Sequence, residues 1–262
     1  QVDGLRLRSG DAAAQALSLT VHAGEIVGIA GISGNGQREL MARLGGEIRS
    51  AAGCIRLDGR PIGDLGPRER RRLGLRYVPE ERLRHGAVPE LSLAENALLT
   101  GDTLHERGLI RPAAMRAYAQ RVIERFQVRA PGPRAGAASL SGGNLQKYIV
   151  GREVQAAPRA LLINQPTWGV DVGAAAAIRN ELIALRGRGC AIVVVSEELE
   201  VRGGCCHARA APRFEHLEED GSAPRDDTVR ELEPEHERSW DSAHHLVSLS
   251  ENALSFRDRA RG

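Results

Sequence analysis

The chain has 262 residues, of which 42% are hydrophobic and 27% are charged, and its formal net charge is +2 at pH 7. This length is enough for one large or two small domains with a real core. The near balance of charge gives no strong field that would attract nucleic acid or an anionic lipid surface. No apolar run approaches the roughly 20 residues that span a bilayer, and no signal peptide is recognisable, so any membrane role requires a partner.

The cysteines indicate neither a metal site nor a disulfide framework. Cys54 and Cys190 lie in apolar, strand-like runs and are interpreted as small core residues. Cys205 and Cys206 are adjacent, whereas metal sites usually use spaced pairs. A reducing cytoplasm fits this pattern. Because the chain begins with Gln1 rather than Met, we expect it to be a fragment or a processed piece.

The first half of the predicted core starts with a β-rich region over residues 1–30, which ends in the apolar run 25–30. A Gly-rich loop and a helix over 37–44 follow. Two short strands are predicted at 54–57 and 75–78, and Asp58-Gly59 indicates a turn after the first of them.

Residues 90–155 change character and become helical, with apolar residues at helical spacing from 112 to 128. Buried strands are then predicted at 160–163 and 191–195, separated by a helix over 174–185. Strands that alternate with helices favour an α/β fold with a mostly parallel sheet. We predict a core subdomain over 1–88 and 156–201, an inserted helical subdomain over 89–155, and an atypical tail over 202–262.

The Gly-rich loop has the layout of a phosphate-binding loop, since it follows a strand and opens a helix. In such loops backbone N–H groups face the phosphates, and the helix N-terminus adds positive potential. The candidate nucleotide-binding residues are Gly31, Ser33, Gly34, Asn35, Gly36, Gln37 and Arg38. Gln37 stands where the G-x-x-x-x-G-K-[ST] pattern has Lys, and Arg38 where it has Ser or Thr. The phosphate-reaching cation and the Mg²⁺-liganding hydroxyl are therefore both missing, and a plain Gly-rich turn remains the alternative.

A second Gly-rich segment, Leu140-Ser141-Gly142-Gly143-Asn144, precedes another predicted helix. Ser141 is a natural N-cap, and the two glycines leave N–H groups bare at the helix start, ready for a phosphate. This segment resembles the signature motif of ATP-binding cassette (ABC) proteins. The resemblance implies a P-loop NTPase-like cassette whose signature serves the nucleotide held by the other cassette of a head-to-tail dimer.

The segment 161–167 resembles the strand of that family that carries an Asp for Mg²⁺ and a Glu that polarises the attacking water. Asn164 and Gln165 occupy those two places. Asn164 is therefore a weak candidate metal ligand, and Gln165, a degenerate catalytic position, cannot act as a general base. Residues 169–173 resemble the loop that crosses between the cassettes, and Asp171 is retained there.

Two further positions complete the resemblance, which covers about residues 1–200. Glu80, in Pro-Glu-x-Arg, replaces the Gln of the loop that senses the membrane partner, and Glu197 replaces the switch His after the last strand. This set of exceptions resembles the second, commonly degenerate cassette of sugar and nucleoside importers that carry two cassettes in one polypeptide.

The resemblance implies an importer subunit that couples ATP binding and hydrolysis to solute uptake, with ATP as cofactor and Mg²⁺ weak or absent at its own site. The implied partners are a second cassette, expected in the same polypeptide, together with permease subunits and a solute-binding protein, and no nucleic acid. The implied location is peripheral, on the cytoplasmic face of the bacterial inner membrane. Two alternatives stay open: a non-transport cassette ATPase of the DNA-repair or translation type, and a catalytically dead nucleotide-binding scaffold.

The tail beyond residue 201 holds many charges and five of the eight histidines, and its sequence contains no convincing strand. The short helix and strand pair that normally follow the switch segment in the family are not recognisable. We expect this tail to be either a frameshift product or a disordered extension.

Overall fold

The computed structural model describes residues 1–7, 16–30, 36–101, 105–106, 109–196, 207–209 and 246–248. The helices are α1 Gln37–Gly45, α2 Pro67–Arg72, α3 Leu93–Thr100, α4 Pro112–Arg125, α5 Gly142–Gln155 and α6 Val172–Gly187. The strands are β1 Val2–Leu5, β2 Leu17–Leu19, β3 Ile26–Ala30, β4 Arg56–Leu57, β5 Arg60–Pro61, β6 Leu75–Val78, β7 His105–Glu106, β8 Leu109–Ile110, β9 Ala160–Asn164, β10 Ala191–Ser196, β11 His207–Arg209 and β12 Leu246–Ser248.

A parallel sheet with the strand order β11-β12-β3-β10-β9-β6 organises the molecule. Three of its adjacent strands, β3, β10 and β9, come from nearly continuous apolar runs, which is typical of parallel strands covered on both faces. The fourth, β6, is interrupted by Arg76. The register is regular: Val195 of β10 lies opposite Ile29 of β3 on one side and Asn164 of β9 on the other. The predicted mostly parallel α/β fold is confirmed.

Side chains that alternate along each strand separate into two hydrophobic cores, one on each face of the sheet. Along β9, Leu161 and Ile163 join the core beneath α4, α5 and α6, while Ala160 and Leu162 join the core beneath α1 and the N-terminal strands. The same alternation continues in β10. The layer of α4, α5 and α6 and the layer of α1 with the N-terminal strands therefore pack on opposite faces of one sheet.

Helices α3, α4 and α5 lie between β6 and β9 in the chain and pack on one another. Gly151 in α5 allows the close approach of α4, since a Cβ there would lie 2.5 Å from Phe126 Cδ2. Arg152 of α5 is buried and donates hydrogen bonds to Asn96 O, at the middle of α3, and to Gly86 O. The start of α3 carries a capping box between Ser92 and Glu95. Residues close together in the sequence therefore fix where this helix begins.

Most predicted elements are present, with small differences in their ends. The predicted helix over 112–128 is α4, which ends at Arg125 because Gln127 adopts a positive φ of 50°. The predicted strand over 54–57 is a 3₁₀ turn followed by the two-residue strand β4. Asp58 and Gly59 both have positive φ and join β4 to β5, as expected for a tight hairpin turn.

Two expectations need correction. The tail was expected to contain no convincing strand, but β11 and β12 lie parallel to each other and both pair with β3. The other residues of 202–262 lie outside the described part of the chain. The run Arg68, Arg70, Arg71 and Arg72 predicts a solvated helix face rather than a nucleic-acid patch, and Arg70 departs from that prediction. It is instead fully buried, and its guanidinium donates to the carbonyls of Arg43, Leu44, Gly63 and Leu65.

Of the helices that the structure describes, none combines the length and the apolar character required to cross a membrane.

Candidate nucleotide-binding site

The candidate residues collect at the carboxyl edge of the sheet, where ligands of open parallel sheets bind. β3 ends at Ala30 and leads into the Gly-rich loop, and Ser196 at the end of β10 lies opposite Ala30. β9 ends at Asn164, and β6 ends at Val78, two residues before Glu80. The parallel topology thus brings segments that are more than 100 residues apart in the chain to one edge.

The Gly-rich loop opens α1, and Gly36 is the residue before its first turn. Gly36 has φ 85° and ψ 2°, a left-handed conformation that glycine adopts without strain. As a glycine, Gly36 has no side chain with which to cap this helix start. Gln37 is buried, and Arg38 is exposed. Gly31, Ser33, Gly34 and Asn35 lie outside the described residues.

Arg38 and Glu80 act electrostatically on the same phenol. Burial is the largest cause that raises the pKa of Tyr77, and the charges of Glu47 and Glu80 raise it further. The charge of Arg38 opposes them and lowers that pKa. Arg38 at the start of α1 and Glu80 in the loop after β6 thus have opposite effects on the pKa of Tyr77.

Asn164 and Glu80, which were predicted as parts of two different motifs, contact each other directly. Asn164 Nδ2 donates a hydrogen bond to Glu80 Oε2 at 3.2 Å. Asn164 is 3% exposed, and its Oδ1 is buried with no hydrogen-bond partner. Among the described residues no group of three or more His, Cys, Asp or Glu side chains is arranged to hold a metal. A metal here would have to combine protein oxygens with oxygens of a ligand.

Gln165 follows β9 in an unusual backbone conformation. Its φ is +47°, and its backbone N–H donates to Val195 O at 2.8 Å. A non-glycine residue in this region is strained, and such strain clusters at functional sites. Gln165 is buried at 8% exposure, so the amide is held where the family resemblance places a catalytic carboxylate. Glu197 lies outside the described residues.

The signature segment lies on the surface. Ser141 and Gly142 are exposed, Gly143 and Asn144 are half-buried, and Leu140 packs partly against the core. Ser141 is the N-cap residue of α5, but its hydroxyl makes no capping bond and instead accepts from Asn144 Nδ2 at 2.9 Å. The first-turn N–H groups therefore remain uncapped by that side chain and open to an outside acceptor.

Arg82 lies against this helix start and connects it to two other segments. Its Nε donates to Gln146 Oε1 at 3.1 Å, and Gln146 Nε2 donates to Pro166 O at 3.2 Å. Its Nη1 lies 2.8 Å from the position that a Cβ on Gly142 would occupy. Burial lowers the pKa of Arg82. The loop after β6, the signature helix and the end of β9 are thus one hydrogen-bonded unit.

The predicted crossing loop is exposed beside the signature. Asp171 is the N-cap of α6, and its Oδ1 accepts from Ala174 N at 2.8 Å. That hydrogen bond is the main reason why the pKa of Asp171 is lowered. Asp171 Oδ2 and Val170 both lie 3.8 Å from the position of a Cβ on Gly143. The structure therefore brings Asp171 and the signature together at one surface.

A cleft of about 210 Å³ is lined in part by the loop after β6. Its walls include Tyr77, Pro79, His85 and Leu99. The rings of Tyr77 and His85 meet edge to face at 6.0 Å, and Leu99 is 49% exposed. The cleft thus presents an apolar, partly aromatic surface directly next to Glu80.

Sequence reasoning assigned no role to Arg82, Gln146 or the pair of Arg152 and Glu153. Arg82 belongs to the Pro-Glu-x-Arg segment that was noted as unusual, so a signal for it was present. Gln146 lies one turn after the signature glycines, on the buried side of α5. Its contact with Pro166, 20 residues along the chain, cannot be recognised from a single sequence.

Comparisons with known proteins agree with this geometry. The family model described as ABC transporter matches residues 14–168. The guanosine import ATP-binding protein NupO of Bacillus subtilis is 39% identical over 204 residues, which are 76% of this chain and 40% of that protein. The xylose import ATP-binding protein XylG of Burkholderia ambifaria is 43% identical over 190 residues, 71% of this chain and 37% of that protein. The chain thus spans about two fifths of the length of these curated relatives.

Among solved structures, the fold is similar to a dimeric ATP-binding cassette in a post-hydrolysis state with ADP and Pi. The TM-score is 0.63 at 22% sequence identity, and the match covers 76% of this chain and 88% of that one. At this identity the likeness supports the fold alone.

Proposed function

The chain belongs to the ABC transporter family of ATP-binding cassettes, and from that premise we propose that it is a cassette of a sugar or nucleoside importer. In this proposal it contributes an intact signature to a partner's nucleotide and has a degenerate site of its own. It resembles the second cassette of a tandem protein, and the curated relatives, with more than twice its matched length, support a longer parent chain.

The observation that carries the proposal is the exposed, uncapped start of α5. A helix N-terminus with bare N–H groups binds phosphate through those groups and through its positive potential. Ser141, Gly142 and Gly143 supply that start without a charged side chain in the first turn. Asp171 lies beside it on the same surface, as a loop that crosses to a partner cassette would require.

The chain's own site is proposed to bind ATP weakly or to hold it without turnover. Gln37 brings no cation to the phosphates, and a hydrogen bond to a charged group contributes roughly 1.5–3 kcal/mol. Gln165 has no proton-accepting carboxylate, so it can orient a water molecule but cannot deprotonate it. Glu197, which replaces the switch His, adds a negatively charged residue to this degenerate set.

The cleft beside Tyr77 and His85 is proposed as the docking place for a membrane permease subunit. Its position next to Glu80, which is hydrogen-bonded to Asn164, would connect the permease to the nucleotide edge of the sheet. ATP would join the two cassettes, and release after hydrolysis would reopen them. The assembly would place the chain peripherally on the cytoplasmic face of the bacterial inner membrane, and a solute-binding protein would deliver the solute.

The division into a core subdomain over 1–88 and 156–201 and a helical subdomain over 89–155 remains part of this proposal. So does the interpretation of 202–262 as a frameshift product or an extension. Translation of the other two reading frames beyond codon 200 tests the frameshift. Cassette-like sequence in one of them would support it, and none in either would remove it.

Two other functions compete with this one. A DNA-repair or translation ATPase is disfavoured because the relatives described above are import proteins by name. A catalytically dead nucleotide-binding scaffold would have the same degenerate site. It differs from the proposed cassette because it would not support ATP hydrolysis at a partner's site.

Co-purification tests the transporter assignment. The full chain should retain a permease and a second cassette from detergent-solubilised membranes of the source organism. Replacement of exposed Leu99 by Asp should release the permease and leave the cassette contact. Retention of a nucleic-acid repair or ribosomal assembly instead would contradict the proposal.

A further inference from the structure

We propose that Trp168 and Val172 form an apolar anchor that holds the partner cassette against this chain in the absence of nucleotide. The inference deepens the proposed function and rests on it, since it names a contact that joins the two cassettes. It differs from an assembly in which ATP alone joins them, because burial of apolar surface requires no phosphate. Reopening after hydrolysis would then separate the nucleotide sites while the anchor keeps the cassettes together.

Trp168 and Val172 are two of the most exposed large hydrophobic side chains that the structure describes. Trp168 is 59% exposed and Val172 is 85% exposed. Tryptophan is highly buried on average in folded proteins, and at protein interfaces it is enriched among the residues that dominate binding. Scattered exposed apolar residues are normal, so the position of these two decides whether they indicate a partner.

The segment that carries both residues is fastened by hydrogen bonds. Trp168 N donates to Gln165 O at 3.3 Å, and Val170 N donates to Thr167 O at 3.4 Å, which closes two tight turns. At the other end the Asp171 side chain caps α6. A segment that is already ordered loses less conformational entropy when it binds, so the two side chains are presented in a conformation ready for contact.

The same segment touches the signature. The Cα and Cβ atoms of Val170 lie 3.8 Å from the position that a Cβ on Gly143 would occupy. Trp168 is two residues before Val170, and Val172 is two residues after it, so the anchor flanks this point of contact. The proposed phosphate-binding helix start and the anchor therefore lie on adjoining parts of one surface. A cassette seated on the signature would cover both.

The chemistry of this surface fits a protein partner. Over 165–173 the only charged residue is Asp171, whose carboxylate is engaged in the cap of α6. Arg82 lies beside the segment, with Nη2 3.4 Å from the position of a Cβ on Gly169. A single arginine is not the cluster of basic residues that anionic lipid or nucleic acid binds. The proposed permease cleft is lined by none of the residues 165–173, which leaves the second cassette as the occupant.

Two explanations compete with this one. In the first, the ring of Trp168 stays in solvent and has no partner. In the second, the anchor joins two copies of this chain. Neither makes the binding of an intact cassette depend on Trp168 when nucleotide is absent, so the test compares binding with and without ATP.

The experiment uses the full 262-residue chain and an intact cassette of the same transporter, mixed in EDTA or in ATP with Mg²⁺. Sedimentation velocity measures the dissociation constant for wild type, Trp168→Ala, Val172→Ala and Ile183→Ala. The last is the matched control, because Ile183 is 41% exposed and lies about 16 Å farther along the same helix than Val172. Thermal unfolding of each variant verifies that it is folded.

A second readout requires no change to the anchor. The chain has two tryptophans, so Trp240→Phe leaves Trp168 as its only source of tryptophan emission. When the intact cassette is added in EDTA, that emission should move to shorter wavelength as the ring leaves water. An unshifted emission from the bound chain would contradict the inference.

The wild-type chain should bind the intact cassette in EDTA. Trp168→Ala should weaken that binding by about 30-fold or more, which is the scale for loss of a dominant interface residue. Val172→Ala should weaken it by a smaller factor, and Ile183→Ala should leave it unchanged.

Association only with ATP, or equal losses in the three variants, would overturn the inference and leave the proposed function standing. Self-association that Trp168→Ala abolishes, without binding of the intact cassette in EDTA, would assign the surface to a second copy and would also overturn it. No association with the intact cassette in either condition would overturn the proposed function, and the inference with it.

Discussion

Arg82 Nε donates to Gln146 Oε1 at 3.1 Å across 64 residues of sequence. Gln146 passes the connection on to Pro166 O, so one buried amide joins the loop after β6 to the end of β9 through the signature helix. The loop after β6 borders the proposed permease cleft. A shift of that loop would therefore change the position of the signature helix, which is proposed to meet a partner's nucleotide.

Replacement of Gln146 by Met should break this connection while conserving volume. Gln146 is 1% exposed, and loss of its amide leaves Pro166 O and Arg82 Nε without these partners, which we expect to cost about 1–3 kcal/mol of unfolding free energy. Denaturant unfolding measures this cost. The functional expectation is that ATP hydrolysis in the assembled cassette dimer becomes less dependent on the permease. Gln120→Met, which removes an exposed Gln–Glu hydrogen bond within α4, is the control and should do neither.

Restoration of the phosphate-binding side chains should strengthen nucleotide binding. The variant Gln37→Lys/Arg38→Ser adds a cation that can reach a phosphate and a hydroxyl that can bind a metal. We expect an affinity gain of roughly 10-fold to 100-fold, the equivalent of one or two charge-assisted contacts. Isothermal titration with ATP in the presence of Mg²⁺ measures it, with Arg38→Ser alone as the control. No gain in the double variant would show that the loop is not a phosphate cradle.

The buried ion pair beneath the loop after β6 should be far more important for stability than an exposed one. Arg152 and Glu153 are 3% and 1% exposed in their side chains and meet at 2.7 Å. Arg152→Met leaves the buried Glu153 carboxylate with only the longer ion pair to Arg76, at 3.8 Å, and leaves Asn96 O and Gly86 O without the Arg152 hydrogen bonds. We expect a loss of about 3–5 kcal/mol, as for other broken buried pairs.

The matched control is Arg125→Met, which removes the pair of Arg125 and Glu181 at 2.6 Å. Those side chains are 38% and 25% exposed, and we expect a loss below about 1 kcal/mol. Equal losses for the two variants, measured by urea unfolding, would contradict the importance given to the buried pair.

The sheet was predictable because burial on both faces requires continuous apolar runs, and the runs that form β9 and β10 stand out in the sequence. The exposed signature was predictable for a similar local reason, since two glycines follow a potential N-cap. Ser141 is the N-cap residue, as predicted, but its hydroxyl accepts from Asn144 Nδ2 and makes no capping hydrogen bond with the backbone. The side-chain amide of Asn144 and the backbone N–H groups of the first turn compete for the same hydroxyl. The sequence motif alone does not decide which of them binds it.

The remaining features depend on contacts between distant segments. Glu80 and Asn164 are 84 residues apart, and only the parallel order of β6 and β9 brings them together. Arg70 is indistinguishable in sequence from Arg68 and Arg72, yet its carbonyl partners lie in segments that fold around it. The strands β11 and β12 have no apolar run of their own and are recognisable only through their pairing with β3.

The central claim is that this chain contributes a working signature but no working hydrolytic site. The most direct measurement is steady-state ATP hydrolysis by the purified chain alone, and by a mixture with an intact cassette of the same transporter. Gly143→Asp blocks the signature, while a first-turn carboxylate is tolerated by the helix. Gly53→Asp, at an exposed glycine with open space around it, is the control.

We predict no turnover by the chain alone, turnover in the mixture, and loss of that turnover with Gly143→Asp but not with Gly53→Asp. Robust hydrolysis by the chain alone, or hydrolysis in the mixture that survives Gly143→Asp, would contradict the account.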